Sequence, residues 1–276
     1  MNNRQKFLFT SLLGFVALSA SAFPAAAAVS LGDASAFAVL SAKPGNLGKV
    51  TCTDSTIAGA IGSSGTVVET NCTATGGIQA PVSANFDAAY AALANTSCDR
   101  VLTGTLAGVT LAPGVYCFDA AATLTGTLTL KGPSTGSWLF KVGTLGTGAL
   151  TGTNFTVMLD GATACNVTWW VSQAATMTDS NFKGSILAGA AITVTRGTFE
   201  GRALAKDEVT LTNVAFVGCQ GGSVGDGGKT KSACNQGVGN GPEACDPGNS
   251  NQGFPFRSND EINGVPGNPG RKGGNK

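Results

Sequence analysis

A repeat of 17 residues in the second half of the chain limits the folds that this sequence can adopt. The phenylalanine-to-glycine triplets that mark it begin at Phe182, Phe199 and Phe216. A unit this short cannot bury an apolar face by itself, so its copies must stack on one another as a solenoid. Short β-branched runs separated by glycine predict that each copy is a coil of β-strands rather than a pair of helices.

The repeat extends towards the N-terminus in less regular form. Val167 to Phe182 has the same length and phase as the two copies that follow it. Trp138 to Phe155 fits with two extra residues in a loop, and Gly114 to Thr129 fits for most of its length. We therefore expect a mainly β fold, a β-solenoid, within one domain of residues 29–219.

The phase of the repeat predicts which side chains face the inside of the solenoid. Residues two and four after each coil start are apolar and alternate with an outward row, as in strands with a buried face. The predicted inward residues are Tyr116, Phe118, Phe140, Val142, Trp169, Val171, Ile186, Ala188, Ala203 and Ala205. The outward row between them consists of Cys117, Lys141, Trp170, Leu187 and Leu204.

This outward row is mainly apolar, so it needs a cover. One amphipathic helix is predicted at residues 81–95, with Phe86, Tyr90 and Leu93 on one face. Because no other segment of the chain offers such a face, we expect the helix to lie along the outward row.

A second strand in each coil carries a Thr-x-Thr motif with an apolar middle residue. The motif occurs at Thr123–Thr125, Thr176–Thr178, Thr193–Thr195 and Thr210–Thr212, and its equivalent in the loop-extended coil is Ala149–Thr151. An inward middle residue places the flanking threonines outward, in two parallel files that only Ala149 interrupts. Alternate side chains along a strand are roughly 6.6–7 Å apart and neighbouring coils roughly 4.7–4.9 Å apart, so the files form a flat grid of methyls and hydroxyls.

Two interpretations of this grid compete. In one, threonine suits an exposed β-strand, and the motif recurs only because the repeat recurs. In the other, the hydroxyls hold water by hydrogen bonds while the methyls limit its other arrangements, so the grid orders a water layer that can merge with ice. Four complete motifs in phase, without Lys, Glu or Asp in either file, favour the second interpretation.

Charge and composition argue against several other classes of function. The chain has 17 basic and 16 acidic residues and no histidine, and residues 101–219 contain six of each charge. A near-neutral chain lacks the basic surface that nucleic acids and anionic membranes select. Polysaccharide-degrading β-helices need clustered carboxylates, and the densest cluster here, Lys206 to Glu208, is typical of a solvated turn. We expect no catalytic site, no metal, no cofactor and no membrane span.

The two ends of the chain predict export and a flexible extension. Residues 1–28 resemble a secretory signal peptide, with Arg4 and Lys6 before an apolar run and Ala26 and Ala28 at the cleavage site. The mature protein is expected to be a secreted, extracellular monomer, free or associated with the cell surface. Residues 220–276 form a Gly-rich tail that we expect to be largely disordered.

The eight cysteines of an exported chain predict disulfides. Cys98 follows the end of the helix and Cys117 belongs to the outward row beneath it, so we expect these two to pair. Cys52–Cys72 follows as a pair within the first segment of the domain.

The remaining cysteines are harder to assign. Cys165 and Cys219 have similar phases but lie about three rungs, or roughly 14 Å, apart, beyond the roughly 7 Å limit between bridged Cα atoms. They should therefore not pair unless the coils stack out of order. Cys234–Cys245 is the pair expected in the tail, where oxygen ligands leave a calcium site as an alternative.

Residues 29–219 resemble the widespread microbial ice-binding proteins of the DUF3494 type. The resemblance lies in Leu31–Leu40, Leu111–Tyr116, Leu124–Leu130, Trp138–Gly143, Gly161–Val167 and Gly201–Ala205. It implies a discontinuous right-handed β-helix with a long helix packed alongside, whose coils need not stack in sequence order. Thr151–Asn154 fits the family's T-A/G-x-T/N pattern, which adds Thr151 and Thr153 to the predicted site, whereas residues 43–77 match poorly.

The residues and the resemblance together predict a protein that binds an ice surface and its ordered water. The predicted ice-binding residues are Thr123, Thr125, Thr151, Thr153, Thr176, Thr178, Thr193, Thr195, Thr210 and Thr212. A cell-surface or adhesive β-solenoid without affinity for ice is the alternative that the sequence leaves open.

Overall fold

Parallel pairing between successive coils builds the structure, a computed structural model that describes residues 30–79 and 83–219. The predicted signal peptide 1–28 and the predicted pair Cys234–Cys245 lie outside the described residues. In chain order the elements are the 3₁₀ helix η1 (Gly32–Ala36), β1 (Phe37–Ser41), β2 (Lys49–Thr53), β3 (Thr56–Ala58), β4 (Ala60–Ser63), β5 (Thr66–Thr70), β6 (Thr73–Ala74), β7 (Ile78–Gln79), α1 (Ser83–Ala94), β8 (Arg100–Val101), β9 (Thr110–Leu111), β10 (Gly114–Phe118), β11 (Ala122–Lys131), β12 (Trp138–Val142), β13 (Leu150–Asp160), the 3₁₀ helix η2 (Ala164–Asn166), β14 (Val167–Val171), β15 (Ala175–Lys183), β16 (Ser185–Ala188), β17 (Ile192–Gly201), β18 (Ala203–Ala205) and β19 (Val209–Gly218).

The strands form two long sheets along the solenoid. The first has nine strands in the order β7-β4-β1-β18-β16-β14-β12-β10-β8, and the second has the path β5-β2-β19-β17-β15-β13-β11-β9 with β3 and β6 beside it. The first coil of the chain therefore stacks on the last one, because β1 pairs with β18 and β2 with β19. The coils therefore do not stack in sequence order, as the resemblance implied. In the chain, α1 connects β7 to β8, which are the two end strands of the first sheet.

The second sheet changes direction at a column of residues in the left-handed backbone region. These residues have φ between 47° and 69° and are Asp54, Asn71, Gly126, Asn154, Asp179, Arg196 and Asn213. Asn, Asp and Gly tolerate this conformation best, which explains why six of the seven are of these types. The strand segments before the column are called the threonine face, and those after it the third face.

The interior is filled by columns of like side chains at the predicted inward positions. Tyr116, Phe140 and Trp169 stack on one another with ring centroids 5.5 and 3.9 Å apart. A second column begins at Phe182, whose ring centroid lies 5.0 Å from that of Phe199 in the next coil. All ten residues predicted to face inward are buried in this core, so the phase of the repeat predicted the interior correctly.

Helix α1 covers the outward row of the first sheet, as predicted. Phe86 and Leu93 are buried in one cluster with Leu187, Leu204 and other residues of the row. The ends of the predicted helix differ by one or two residues from the observed bounds, Ser83–Ala94. No helix in the described ranges combines the length and apolar character of a membrane span.

Lys141 is the one charged residue of the outward row, and it is buried under the end of the helix. Its Nζ donates hydrogen bonds to the carbonyl oxygens of Ala94 and Thr96, at 2.8 and 2.5 Å. Burial lowers the pKa of the Lys141 ammonium. The ammonium pairs with the carbonyl of the last helical residue and with one just beyond the helix, and it lies at the negative end of the helix dipole, so this charge holds the end of the helix on the sheet.

Two disulfides join the cysteines that were expected to pair. Cys98 and Cys117 have Cα atoms 5.9 Å apart and link the chain after α1 to β10. Cys52 and Cys72 also have Cα atoms 5.9 Å apart, and their disulfide links β2 to the chain just after the end of β5.

The expectation that Cys165 and Cys219 stay apart is wrong. They form a disulfide with Cα atoms 5.6 Å apart. The strands of this region do stack in sequence order, β14-β16-β18, so an altered order is not the reason. The connection from β13 to β14 instead leaves its own coil, because η2, which contains Cys165, packs against β17. The loop thereby brings Cys165 along the solenoid to the end of β19, where Cys219 follows.

Replacing Leu187 by Asp should lower the free energy of unfolding by about 3 kcal/mol, because an unpaired carboxylate would be buried. Leu187 is 0% exposed, whereas Leu145 in a loop is 80% exposed. Leu145→Asp is the matched control and should change stability by about 0.5 kcal/mol or less. Chemical denaturation followed by circular dichroism measures both, and equal midpoints would contradict the packing of α1 on this row.

Candidate functional site

The strand register places the predicted threonines in two straight files on the threonine face. The first file is Thr123, Thr151, Thr176, Thr193, Thr210 and Thr51. The second file is Thr153, Thr178, Thr195, Thr212, Thr53 and Thr70. Five consecutive strands, β13, β15, β17, β19 and β2, contribute a threonine to both files.

The middle residue of each motif faces the interior and fixes the outward direction of its neighbours. Met177, Val194 and Leu211 are buried at this position. In β13 the position is Gly152, where a Cβ would lie 2.5 Å from Sδ of Met177. The long side chain of Met177 thus fills the space that Gly152 leaves, and the two strands keep their register.

The predicted alignment of the loop-extended coil is wrong by two residues. Thr151 pairs with Thr176 and Thr153 with Thr178, so Ala149 is not part of either file. The alignment rested on matching Phe155 to Phe182, but Phe155 is buried two positions earlier in the coil, where its backbone N–H donates to Oγ of Ser180. The files are therefore unbroken where Ala149 was expected to interrupt them.

Thr125 is the predicted site residue that the register does not align. The pairing of β11 with β13 shifts between Leu124 and Gly126, so Thr153 and Asn154 stand opposite this one residue. Thr123, two positions earlier, remains paired with Thr151. The second file therefore loses its regular spacing at β11.

Thr51, Thr53 and Thr70 belong to the files but were not predicted. Thr51-Cys52-Thr53 is itself a Thr-x-Thr motif whose middle residue is fully buried. It lies outside the 17-residue repeat, and its pairing with β19 depends on the return of the chain to the other end of the stack. The motif was a usable signal, but sequence order gave no reason to place it beside Thr210.

The hydroxyls of the two files are free to bind water. Within residues 30–79 and 83–219, their side chains make no hydrogen bond to another protein group, whereas on the third face Thr198 donates to Asn181 at 2.9 Å. Neither file contains a charged residue among the strands that the structure describes. The face therefore presents a periodic set of hydroxyls and methyls whose hydrogen bonds all remain for solvent.

The margins of the threonine face differ on its two sides. On the side of the left-handed column, Nε and Nη2 of Arg196 donate to the Asp179 carboxylate at 2.6 and 2.8 Å. These hydrogen bonds lower the pKa of Asp179. On the other side, a row of alanines such as Ala174 and Ala191 gives way to Glu208 in the next coil.

Comparison with known proteins decides the family. Residues 19–217 match the model of the family described as Ice-binding-like. A protein named "Ice-binding protein" from Nostoc sp. (strain HG1) is 33% identical over 200 residues, which cover 69% of this chain and 72% of that protein. The chain belongs to the ice-binding-like family. Its β-solenoid with one helix alongside is also the fold of solved ice-binding protein structures.

Two further ice-binding proteins show how far the likeness extends. The crystal structure of an ice binding protein from an Antarctic biological consortium has a TM-score of 0.62 and 28% sequence identity, and the match covers 71% of this chain and 94% of that one. Ice-binding protein K3-B1 of Typhula ishikariensis is 36% identical over 95 residues, which span only 38% of its length and 34% of this chain. The family match at residues 19–217 includes every threonine of both files.

Replacing Asn213 by Val should destabilise the protein by about 1–2 kcal/mol relative to Asn213→Gly, because a β-branched residue resists left-handed backbone. Asn213 has a φ of 54° and follows Thr212 directly. Glycine adopts this conformation freely, so Asn213→Gly is the matched control. Thermal unfolding by differential scanning calorimetry measures both, and a Val variant as stable as the Gly variant would contradict the left-handed column.

Proposed function

We propose that the protein is a secreted ice-binding protein and that its threonine face is the surface that contacts ice. The observation that carries the proposal is the pair of files on β13, β15, β17, β19 and β2, which hold threonine at every position. The family to which the chain belongs supports the activity, and the geometry of the files supports the choice of face.

The files supply what an ordered water layer requires. Hydroxyls recur roughly every 4.7–4.9 Å across the strands and roughly every 6.6–7 Å along them. Each hydroxyl can donate to one water and accept from others, while the adjacent methyl restricts where those waters lie. Because the strands are held by a packed core, the grid is rigid before ice is met, and little ordering entropy is lost on binding.

The third face is a poorer template for water. It carries the ion pairs Lys131–Asp160 and Lys183–Glu200. Its Met158 side chain is 55% exposed, in the same outward row as Lys183. Charged groups hold water in their own geometries, and the long side chains break the flatness of the surface. The first sheet is excluded from contact because α1 covers it.

An enzymatic role is not part of the proposal. Five acidic side chains of the described residues stand in separate ion pairs, among them Lys43–Asp207 at 2.7 Å and Lys206–Asp87 at 3.2 Å. A general acid and base would need two carboxyl groups that face one substrate.

Secretion and the monomeric state also belong to the proposal. The three disulfides of the described residues suit an oxidising compartment outside the cytosol. The apolar row that would otherwise be exposed is covered within the chain by α1, so this row needs no second subunit.

Replacing Thr193 or Thr195 by Tyr should abolish ice shaping and thermal hysteresis, because a bulky ring would stand above the flat grid. Both threonines lie in the central strand of the five complete ones, and only their outward atoms change. Thr198→Tyr on the third face is the matched control, since Thr198 lies in the same strand and is exposed. All three variants should keep the circular dichroism spectrum of the parent.

The outcomes separate the possible roles of the molecule. Loss of activity only in the Thr198 variant would move the ice site to the third face. Full activity of both Thr193→Tyr and Thr195→Tyr would contradict the assignment of the threonine face as the ice site. An inactive parent protein would favour the alternative of an adhesive β-solenoid without affinity for ice.

The extension of the files into β2 has its own test. Thr53→Tyr should reduce thermal hysteresis, by less than Thr195→Tyr, because Thr53 lies towards one end of the second file. Thr56→Tyr, three residues later on the third face, should leave the activity unchanged. Equal activity of the Thr53 and Thr56 variants would show that the ice site ends at β19.

A further inference from the structure

Strand β5 forms the last rung of the threonine face, and it differs from every other rung at its inward position. The residue that pairs with Cys52 in the neighbouring strand is Glu69, which is exposed. The equivalent residues of the other coils, among them Leu211 and Val194, are apolar and buried. Burial therefore contributes much less to holding β5 than it does to holding the other rungs.

Other contacts hold β5 against β2. The Cys52–Cys72 disulfide links the inward residue of β2 to the chain just after β5, where Cys72 is packed against the core. Beside it, Nδ2 of Asn71 donates to Oδ1 of Asp54 at 2.8 Å, and the N–H of Asp54 donates to the carbonyl of Thr70 at 2.9 Å. The covalent link thus lies at the corner where β5 leaves the threonine face.

We propose that the Cys52–Cys72 disulfide holds β5 on β2 and thereby fixes the end of the ice-binding surface, a role that rests on the proposed function of the threonine face. Thr51 and Thr53 are flanked by β19 on one side and by β5 on the other. If β5 separates, these two threonines become part of an edge strand, and Thr70 leaves the second file. The disulfide is a positioning device for the hydroxyls of Thr51, Thr53 and Thr70, and it touches no ice itself.

Cys72→Ser tests the proposal with little disturbance, because the fully buried Cys52 remains as an apolar thiol. Amide hydrogen exchange of residues 66–70 should become faster by roughly tenfold or more, since the opened strand is no longer tethered. Exchange in β17 should stay as in the parent. Thermal hysteresis, measured where circular dichroism shows an intact fold, should fall between the values of the parent and of Thr195→Tyr.

Cys165→Ser is the matched control. It also removes the more exposed cysteine of a disulfide and keeps the buried one, Cys219, but that bridge lies beyond the third face. The control should leave both the exchange of residues 66–70 and the thermal hysteresis unchanged.

A second variant tests the reason for the dependence on the disulfide. Adding Glu69→Val to Cys72→Ser places an apolar residue at the inward position and should restore part of the protection of β5. Unchanged exchange of β5 in Cys72→Ser would overturn the proposal, and so would faster exchange without any loss of hysteresis. Failure of Glu69→Val to restore protection would show that missing burial is not the cause. If instead Thr193→Tyr and Thr195→Tyr keep full activity, the proposed function fails while the exchange results still stand.

Discussion

Parallel hydrogen bonding between coils at one fixed register is the constraint on which the rest of the molecule depends. A register without shifts from β15 to β19 sets each side chain directly above its equivalent in the next coil. In the interior this aligns rings, such as Phe199 and Phe216 with centroids 4.5 Å apart. On the surface the same register aligns threonines. The regular spacing of the threonines therefore follows from the packing of the core. A slip of one residue in the strand register would turn the inward side chains outward and the threonines inward.

The first sheet and the threonine face differ in whether the chain covers them. The first sheet presents an apolar outer row and is sealed by α1, with Lys141 anchoring the end of the helix. The threonine face is left open, and the threonine side chains of its two files make no hydrogen bond within the described part of the chain. The helix thereby covers an apolar row that would otherwise be exposed to solvent.

Sequence reasoning succeeded where the repeat is contiguous and failed where the chain leaves it. The inward and outward positions from Trp169 to Ala205 follow from phase alone, because each coil there pairs with the next one in sequence. Thr51 and Thr53 were missed since their neighbour in space, β19, is close to the other end of the domain. The alignment at Phe155 failed because this phenylalanine is buried two positions earlier in its coil than Phe182 is in the next one. Cys165 and Cys219 were wrongly separated because a loop carries Cys165 along the solenoid axis, a displacement that the phase of the repeat does not report.

The return of the first coil to the last one has a consequence for the time course of folding. Lys43 bonds Asp207 at 2.7 Å across 164 positions of sequence, and the hydroxyl of Ser41 donates to the carbonyl of the same residue. The N-terminal strands pair with one another, as β1 does with β4 and β2 with β5, but β1 and β2 join the rest of the two sheets only through β18 and β19. Contacts so distant in sequence carry a large loop-closure entropy and slow the folding of β proteins. Completion of the two sheets therefore has to wait until β18 and β19 have been made.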